Sequence, residues 1–170
     1  MAHTAQTTRD PVCGMDVEIS RSSQWAIYRG TIFHFCSSQC LENFRNAPAL
    51  YASYKQLRLG PGTEPIPKRR SLDIAPGHAT AIEPACRRIG EMMGITSVRA
   101  ESGRLIVEYD LKQVTLSQIE TVAIAEGLKF SLGLHGLRRW LWRSSESNEL
   151  KNAAHPGNGT CCNHPPEPNL

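Results

Sequence analysis

Two short patterns and one break between them predict an α+β fold of two units. Residues 10–57 combine three cysteines with a hairpin pattern and short helical segments. Residues 71–133 alternate strand, helix, strand, strand, helix and strand. Residues 58–70, which contain three prolines and two glycines, are predicted to be a linker because those residues prevent regular structure.

Length and composition restrict the functions to consider. The chain has 170 residues, 40% apolar and 21% charged, which is enough for two small domains. A net charge of +3 with one short basic run, residues 68–70, does not favour nucleic-acid binding. The sequence contains no run of 18 consecutive apolar residues, so it does not predict a transmembrane segment. The N-terminus lacks the apolar stretch of a secretory signal, so six cysteines predict a reducing, cytoplasmic location.

The first unit is predicted to begin with a β-hairpin. Residues 1–9 are polar and are expected to be disordered. The strands are residues 24–28 and 31–35, and Arg29-Gly30 forms the turn because Gly30 tolerates a positive φ.

Two short helices are expected after the hairpin. Ser37 or Ser38 is a suitable N-cap for a helix over residues 38–45. Pro48 follows its end, and a second helix is expected over residues 49–57.

Three cysteines and a histidine of this unit are candidate metal ligands. Cys36 and Cys40 are four residues apart, so on one helical turn their thiols share a face. In an extended strand His34 points to the same side as Cys36, and Cys13 lies on a loop that is free to fold back over them. Thiolate and imidazole suit Zn(II) or Cu(I), whereas Mg²⁺ and Ca²⁺ prefer oxygen. The alternatives are buried cysteines acting as small apolar side chains, or a disulfide.

These residues carry a resemblance to a known family. The stretches DPVCGM, YRGTIFHFCSSQC and CLENFRNAPALY resemble the YHS domain, a small metal-associated module of the TRASH-like group. Members of the family occur beside heavy-metal ATPases and metal-resistance proteins. The resemblance implies metal binding by Cys13, Cys36 and Cys40 and leaves the metal open. Because so small a unit buries little apolar surface, we expect the metal to stabilise it.

The second unit is predicted to begin with a strand over residues 71–75 and a helix over residues 78–93. Pro84 lies within that helix and suggests a later start near Glu83, with the proline in the first turn. The helix has an apolar stripe made of Ile82, Cys86, Ile89 and Met93.

The remaining elements complete a βαββαβ order, which is that of a ferredoxin-like fold. Thr115 or Ser117 is a suitable N-cap for the second helix, which is expected to stop at Gly127. The strands are predicted over residues 97–100, 104–109 and 128–132.

A second resemblance concerns the stretch MGITSVRAESGRLIVEYDLKQVTLSQIETVAIAEGLKF. It is similar to the second half of a heavy-metal-associated (HMA) domain, the module of copper chaperones and ATPase N-termini. That family carries a C-x-x-C metal loop at the start of its first helix. The corresponding positions fall near His78 and Ala81, and neither is a cysteine. The resemblance therefore implies a degenerate HMA domain in which Cys86 belongs to the core and His78 is at most a single ligand.

The C-terminal part of the chain is predicted to contain a short amphipathic helix over residues 134–143. Its apolar face is formed by Leu134, Leu137, Trp140 and Leu141, and its basic face by Arg138, Arg139 and Arg143. We expect it to dock on the sheet; the alternative is a surface-seeking helix, too short to anchor in a membrane alone.

Residues 144–170 are rich in polar residues and are expected to be a disordered tail. The tail contains four further soft ligands: His155, Cys161, Cys162 and His164. They are either a second candidate metal site or incidental.

The sequence thus predicts a protein that binds a soft metal, Cu(I) or Zn(II), without being an enzyme. Its expected role is that of a cytoplasmic metallochaperone, buffer or accessory factor of metal efflux, with a heavy-metal-transporting ATPase or efflux system as partner. A metal-sensing regulatory module is the alternative, although no helix-turn-helix pattern is present. A metal-dependent or thiol enzyme is less favoured, since no C-x-x-C redox pair or catalytic constellation is found.

Overall fold

The computed structural model describes residues 6–52 and 64–154. The first unit contains small antiparallel sheets, a 3₁₀ turn at Ile19–Arg21 and short helices. Its elements are β1 (Thr7–Arg9), β2 (Asp16–Glu18), β3 (Gln24–Tyr28), β4 (Thr31–Phe35), α1 (Ser38–Asn46) and α2 (Pro48–Tyr51).

The expectation of disorder over residues 1–9 is wrong for Thr7–Arg9. This segment pairs with β2, with Thr8 opposite Val17. The pairing is possible because Gly14 reverses the chain: its φ is 78°, and its N–H donates to the carbonyl of Asp10 at 2.8 Å. Residues 1–5 lie outside the described part.

The predicted hairpin is confirmed in both strands and in the turn. Tyr28 pairs with Thr31, and Arg29 and Gly30 have φ angles of 49° and 79°. Two successive positive φ angles are typical of a type I′ turn, whose twist matches that of the strands it joins.

The first predicted helix is also confirmed, and Ser37 rather than Ser38 caps it. The Ser37 hydroxyl accepts a hydrogen bond from the Cys40 N–H at 3.2 Å. The inward side chain of Phe44 packs against Phe33 and Phe35, with ring centroids 5.0 Å apart in each pair. The second helix runs from Pro48 to Tyr51, and residues 53–63, which hold the rest of its predicted span, lie outside the described residues.

The second unit places helices against an antiparallel sheet of order β5-β7-β6. Its elements are β5 (Pro67–Asp73), α3 (Ala79–Gly90), β6 (Ile95–Glu101), β7 (Arg104–Asp110), α4 (Leu116–Ala125) and α5 (Leu134–Ala154). The core between sheet and helices is apolar and fully buried, and includes Leu72, Ile89, Leu105, Val107 and Ile119.

Several predicted bounds in this unit are wrong. Strand β5 begins at Pro67 and not at Ser71, so residues 67–70 belong to the sheet and not to the linker. A proline is tolerated as the first residue of a strand. Helix α3 begins at Ala79 and encloses Pro84, so a start near Glu83 is wrong.

The predicted closing strand over residues 128–132 is reduced to one bridge. Phe130 pairs antiparallel with Ile74, supported by a hydrogen bond from the Ser131 N–H to the Asp73 carbonyl at 2.9 Å. The capping prediction before α4 is confirmed: Thr115 caps the helix, and its side chain and that of Gln118 form a capping box.

The predictions of a helix ending at residue 143 and of disorder from residue 144 are wrong for residues 144–154. Helix α5 continues to Ala154, because polar side chains of its second half have buried partners. Glu146, which is 2% exposed, accepts hydrogen bonds from the Tyr109 hydroxyl and from the Leu116 N–H. The longer α5 is still no candidate for crossing a membrane, nor is any other helix within the described ranges.

The two units share an interface that α1 forms with the loop before α4. The Gln39 side-chain amide donates to the carbonyls of Met93 and Gln113, both at 2.9 Å. Asn43 donates to the same Gln113 carbonyl, and the Tyr51 hydroxyl donates to the carbonyl of Lys112 at 2.6 Å. The helix that carries Cys40 is therefore fixed against the second unit.

Candidate metal centre

The candidate site is built around the buried carboxylate of Asp10. Its Oδ1 accepts the Val12 N–H and its Oδ2 accepts the Cys36 N–H, each at 2.8 Å. The first bond shapes the loop that carries Cys13, and the second joins that loop to the end of β4. Asp10 is 0% exposed, so both bonds are shielded from water and hold the two segments together.

Three thiols meet beside this carboxylate. The sulfur of Cys36 lies 3.5 Å from that of Cys13 and 3.7 Å from that of Cys40. Cys36 follows β4 directly and Cys40 lies in the first turn of α1, so the capped junction between strand and helix sets their separation. The ligand atoms of Asp10 and the three cysteines all lie within 4.8 Å of one another.

These distances fit a metal bound by thiolates. A Zn–S bond is about 2.3 Å, so two sulfurs on a tetrahedral zinc are about 3.8 Å apart, and on a trigonal ion with bonds of that length about 4.0 Å. The observed separations of 3.5 and 3.7 Å are within a few tenths of an ångström of the tetrahedral value and somewhat shorter than the trigonal one. Cys13, Cys36 and Cys40 would supply the thiolates, and Asp10 the remaining oxygen ligand or the support behind them.

The three thiols do not ionise equally. Hydrogen bonding from Cys40, the largest effect, lowers the pKa of Cys13 to about 7. Burial raises the pKa of Cys36 to about 11, and the carboxylate of Asp10 adds to the rise. The neighbouring Cys13 thiol, followed by burial, raises the pKa of Cys40. Cys13 is therefore about half ionised near neutral pH, and a bound cation would displace the thiol protons that remain.

The cysteines differ in their access to solvent. Cys40 is fully buried, Cys13 is half-buried and Cys36 is exposed. The cluster is therefore open to solvent on the Cys36 side. Met15, whose side chain is 58% exposed, follows the same loop and adds a soft thioether to its surface.

The structure does not bring His34 into this group. His34 stands opposite Trp25 in the hairpin, and its buried Nδ1 has no hydrogen-bond partner. Cys36 lies one residue beyond the end of β4, where the chain turns into α1, so the alternation of a strand does not extend to it. The fourth member of the cluster is Asp10 instead. Sequence reasoning missed Asp10, because its carboxylate accepts the N–H of Cys36, 26 residues along the chain.

The other candidate residues are not part of this centre. The tail residues His155, Cys161, Cys162 and His164 lie outside the described residues. His78 is the N-cap of α3, and its Nδ1 is 3.1 Å from the Gly127 carbonyl oxygen. Cys86 packs against the core, and burial raises its pKa. Within residues 6–52 and 64–154, the Asp10 cluster is the one group of three or more such residues with metal-binding spacing.

Comparison with known proteins identifies the segment that holds this cluster. Residues 8–55 match the family model of the YHS domain. The match begins just before Asp10 and includes all three cysteines, while no family match supports the HMA resemblance of the second unit. Searches of curated proteins and of solved structures found no match.

Proposed function

We propose that this chain is a non-enzymatic protein that binds one soft metal ion, Cu(I) or Zn(II), through Cys13, Cys36 and Cys40. The observation that supports this proposal most is that three free thiols cluster beside the buried Asp10 carboxylate. Their softness favours these ions over Mg²⁺ or Ca²⁺. With one side of the site exposed through Cys36, the ion can be passed to another thiol, as a chaperone, buffer or efflux accessory factor requires.

The arrangement of Asp10 supports a binding role over a catalytic one. A hydrolytic metal site needs an open coordination position and a general base near it. Asp10, the carboxylate of the cluster, already accepts two backbone N–H groups and is shielded from solvent. Its role is then to hold the loop and β4 in register for the metal, and not to move protons.

The second unit supports a role as a scaffold. Its βαββ elements, a second helix and the Phe130 bridge beside β5 give the strand neighbours expected of a ferredoxin-like domain. We propose that it derives from an HMA-type domain without a metal loop, in which His78 lies at the N-cap position of α3 with its ring against the Gly127 carbonyl and binds no ion. We also propose that the protein is cytoplasmic and that its partner is a heavy-metal-transporting ATPase or efflux system.

A metal-sensing role is the second candidate, favoured by the interface of α1. Cys40 lies on the same helix as Gln39 and Asn43, which bind the second unit. Metal binding that tightens the first turn of α1 would therefore also affect the loop at Gln113. Hydrogen exchange at residues 92–114 tests this candidate: protection that changes on metal binding supports it, and unchanged protection rejects it.

Metal titration of one cysteine variant tests the main proposal. Cys36→Ser is the informative change, because Cys36 is exposed and its replacement disturbs packing least. We expect the purified protein to bind about one equivalent of Cu(I) or Zn(II) in competition with a chelator, and Cys36→Ser to lose this high-affinity binding.

The matched control is Cys86→Ser, which removes a thiol that lies outside the cluster. It should keep the stoichiometry and affinity of the unchanged protein. If Cys36→Ser binds as tightly as the unchanged protein, or if Cys86→Ser loses as much, the assignment of the site is wrong.

A further inference from the structure

Helix α5 docks on the protein through charged side chains. Arg139, 13% exposed, forms an ion pair with the buried Glu120, and Arg143 pairs with the same carboxylate. Farther along the helix Glu146 pairs with Arg70, and Glu149 pairs with Lys68. The face of α5 that contacts the body of the protein thus combines these charged side chains with the buried Leu150.

The opposite face of the first half of α5 is apolar and exposed. Leu134 is 87% exposed, Leu137 55%, Trp140 56% and Leu141 52%, and Leu132 just before the helix is 82% exposed. Leu134, Leu137 and Leu141 follow the i, i+3, i+7 spacing of one helix face. We call these five side chains the apolar ridge. An exposed, contiguous apolar surface on a folded protein indicates an interaction site.

Positive charge surrounds the apolar ridge. Residues 128–143 contain Lys129, Arg138, Arg139 and Arg143 but no aspartate or glutamate. Two of the arginines share Glu120, whereas Lys129 and Arg138 form no ion pair with any described residue. Arg138 lies over the ring of Trp142, 4.6 Å from its centroid, at the border of the ridge. The surface around the ridge therefore carries excess positive charge.

We propose that the apolar ridge inserts into the interfacial region of an anionic lipid membrane, with α5 lying along the surface. Leucines beside a tryptophan, bordered by basic side chains, are the composition of interfacial helices. The ridge covers about two helical turns, or roughly 12 Å, which suits a helix that lies in the headgroup region.

Exposure and charge favour this occupant over a second copy of the chain. The side chains of the ridge are 52–87% exposed on a helix that is already docked, so they can enter a deformable surface that has no matching groove. Two ridges facing each other would bring like charges together, which opposes self-association. Anionic lipid instead attracts the basic residues. The proposal does not depend on the metal site.

Co-sedimentation with lipid vesicles tests the proposal on the full-length protein. We expect the protein to sediment with vesicles of mixed phosphatidylcholine and phosphatidylglycerol, less with phosphatidylcholine alone, and less as salt increases. The variant Leu134→Ser/Leu137→Ser/Leu141→Ser should weaken binding to the mixed vesicles by at least about ten-fold.

The matched control is Ile27→Ser/Ile32→Ser, which removes two side chains, 62% and 58% exposed, from the hairpin. It should bind vesicles as the unchanged protein does. Absence of binding to mixed vesicles, equal binding to both vesicle types, or full binding by the leucine variant would overturn the proposal. The proposal would also be overturned if the protein does not bind vesicles but forms a dimer that the leucine substitutions dissociate. Metal stoichiometry of the same variants reports separately on the function proposed above.

Discussion

The two units are held together by different means. In the first, a few aromatic side chains pack around Phe44, and the loop that carries Cys13 is joined to the rest by the carboxylate of Asp10. In the second, fully buried aliphatic side chains fill the space between the sheet and its helices. A polar junction shielded from water is rigid only while all its partners are present, whereas an apolar core needs no ligand. Metal should therefore stabilise the first unit and leave the second almost unchanged.

The largest effect is expected from a cavity in the second unit. Leu105 is 0% exposed near the start of β7, the central strand of the sheet, so Leu105→Ala should lower the free energy of unfolding by about 2–5 kcal/mol. Denaturant unfolding measures the loss. Metal stoichiometry of the folded variant should stay at that of the unchanged protein. If the variant folds but no longer binds metal, the metal centre depends on the core of the second unit, and the contrast drawn between the two units is wrong.

Asp10→Asn should have the next largest effect, on the first unit. The amide keeps one oxygen acceptor but loses the negative charge and one of the two acceptor atoms that bind Val12 and Cys36. Removing a group that supports metal ligands typically weakens affinity about 10–100-fold, and we expect a loss of that size in a chelator competition. Asp16→Asn, at an exposed carboxylate of β2, is the control. Equal affinities of the two variants would assign no role to the burial of Asp10.

The same contrast explains what the sequence could predict. The hairpin and the cap of α1 follow from neighbouring residues: Arg29-Gly30 takes positive φ angles, and Ser37 stands three residues before the N–H it binds. Such rules act within one turn. The approach of Cys36 to Cys40 follows from the same local geometry.

Asp10 and the second half of α5 could not be predicted in this way, because both depend on partners far along the chain. The Asp10 carboxylate binds an N–H that is 26 residues away. Glu146 is buried only because Arg70 and Tyr109 meet it on the sheet. A polar stretch such as residues 144–154 is typical of disorder until those partners are known.

A smaller effect is expected from acid, on the second unit. Burial lowers the pKa of His135 below its ordinary value of 6.5, with Asp73 acting in the opposite direction. Its Nε2 accepts the Asp73 N–H at 3.0 Å, which requires the neutral ring. The unfolded chain therefore takes up this proton at a higher pH than the folded one, so stability is lost as pH falls below about 6.5.

Thermal unfolding between pH 7.5 and 5 measures this contribution. This pH range brackets the ordinary histidine pKa of about 6.5. Comparison with His135→Gln isolates it, since glutamine does not titrate. The difference in midpoint between the two proteins should shrink toward the acidic end. If the difference in midpoint stays constant, protonation of His135 does not contribute to the pH dependence of stability.

The smallest effect concerns the tail thiols, which we propose take part in the release of metal and not in its binding. Helix α5 ends at Ala154 and packs against α2, which follows α1 directly. Cys40 is six residues from the end of α1, or about 9 Å along the helix. Cys161 is seven residues beyond Ala154, and seven residues span at most about 25 Å. We therefore propose that the tail thiols reach the exposed Cys36. Cys161→Ser/Cys162→Ser should leave equilibrium affinity nearly unchanged and slow metal transfer to an acceptor thiol by a few-fold. If the transfer rate is the same in this variant and in the unchanged protein, the tail thiols are incidental and Cys36 hands over the ion alone.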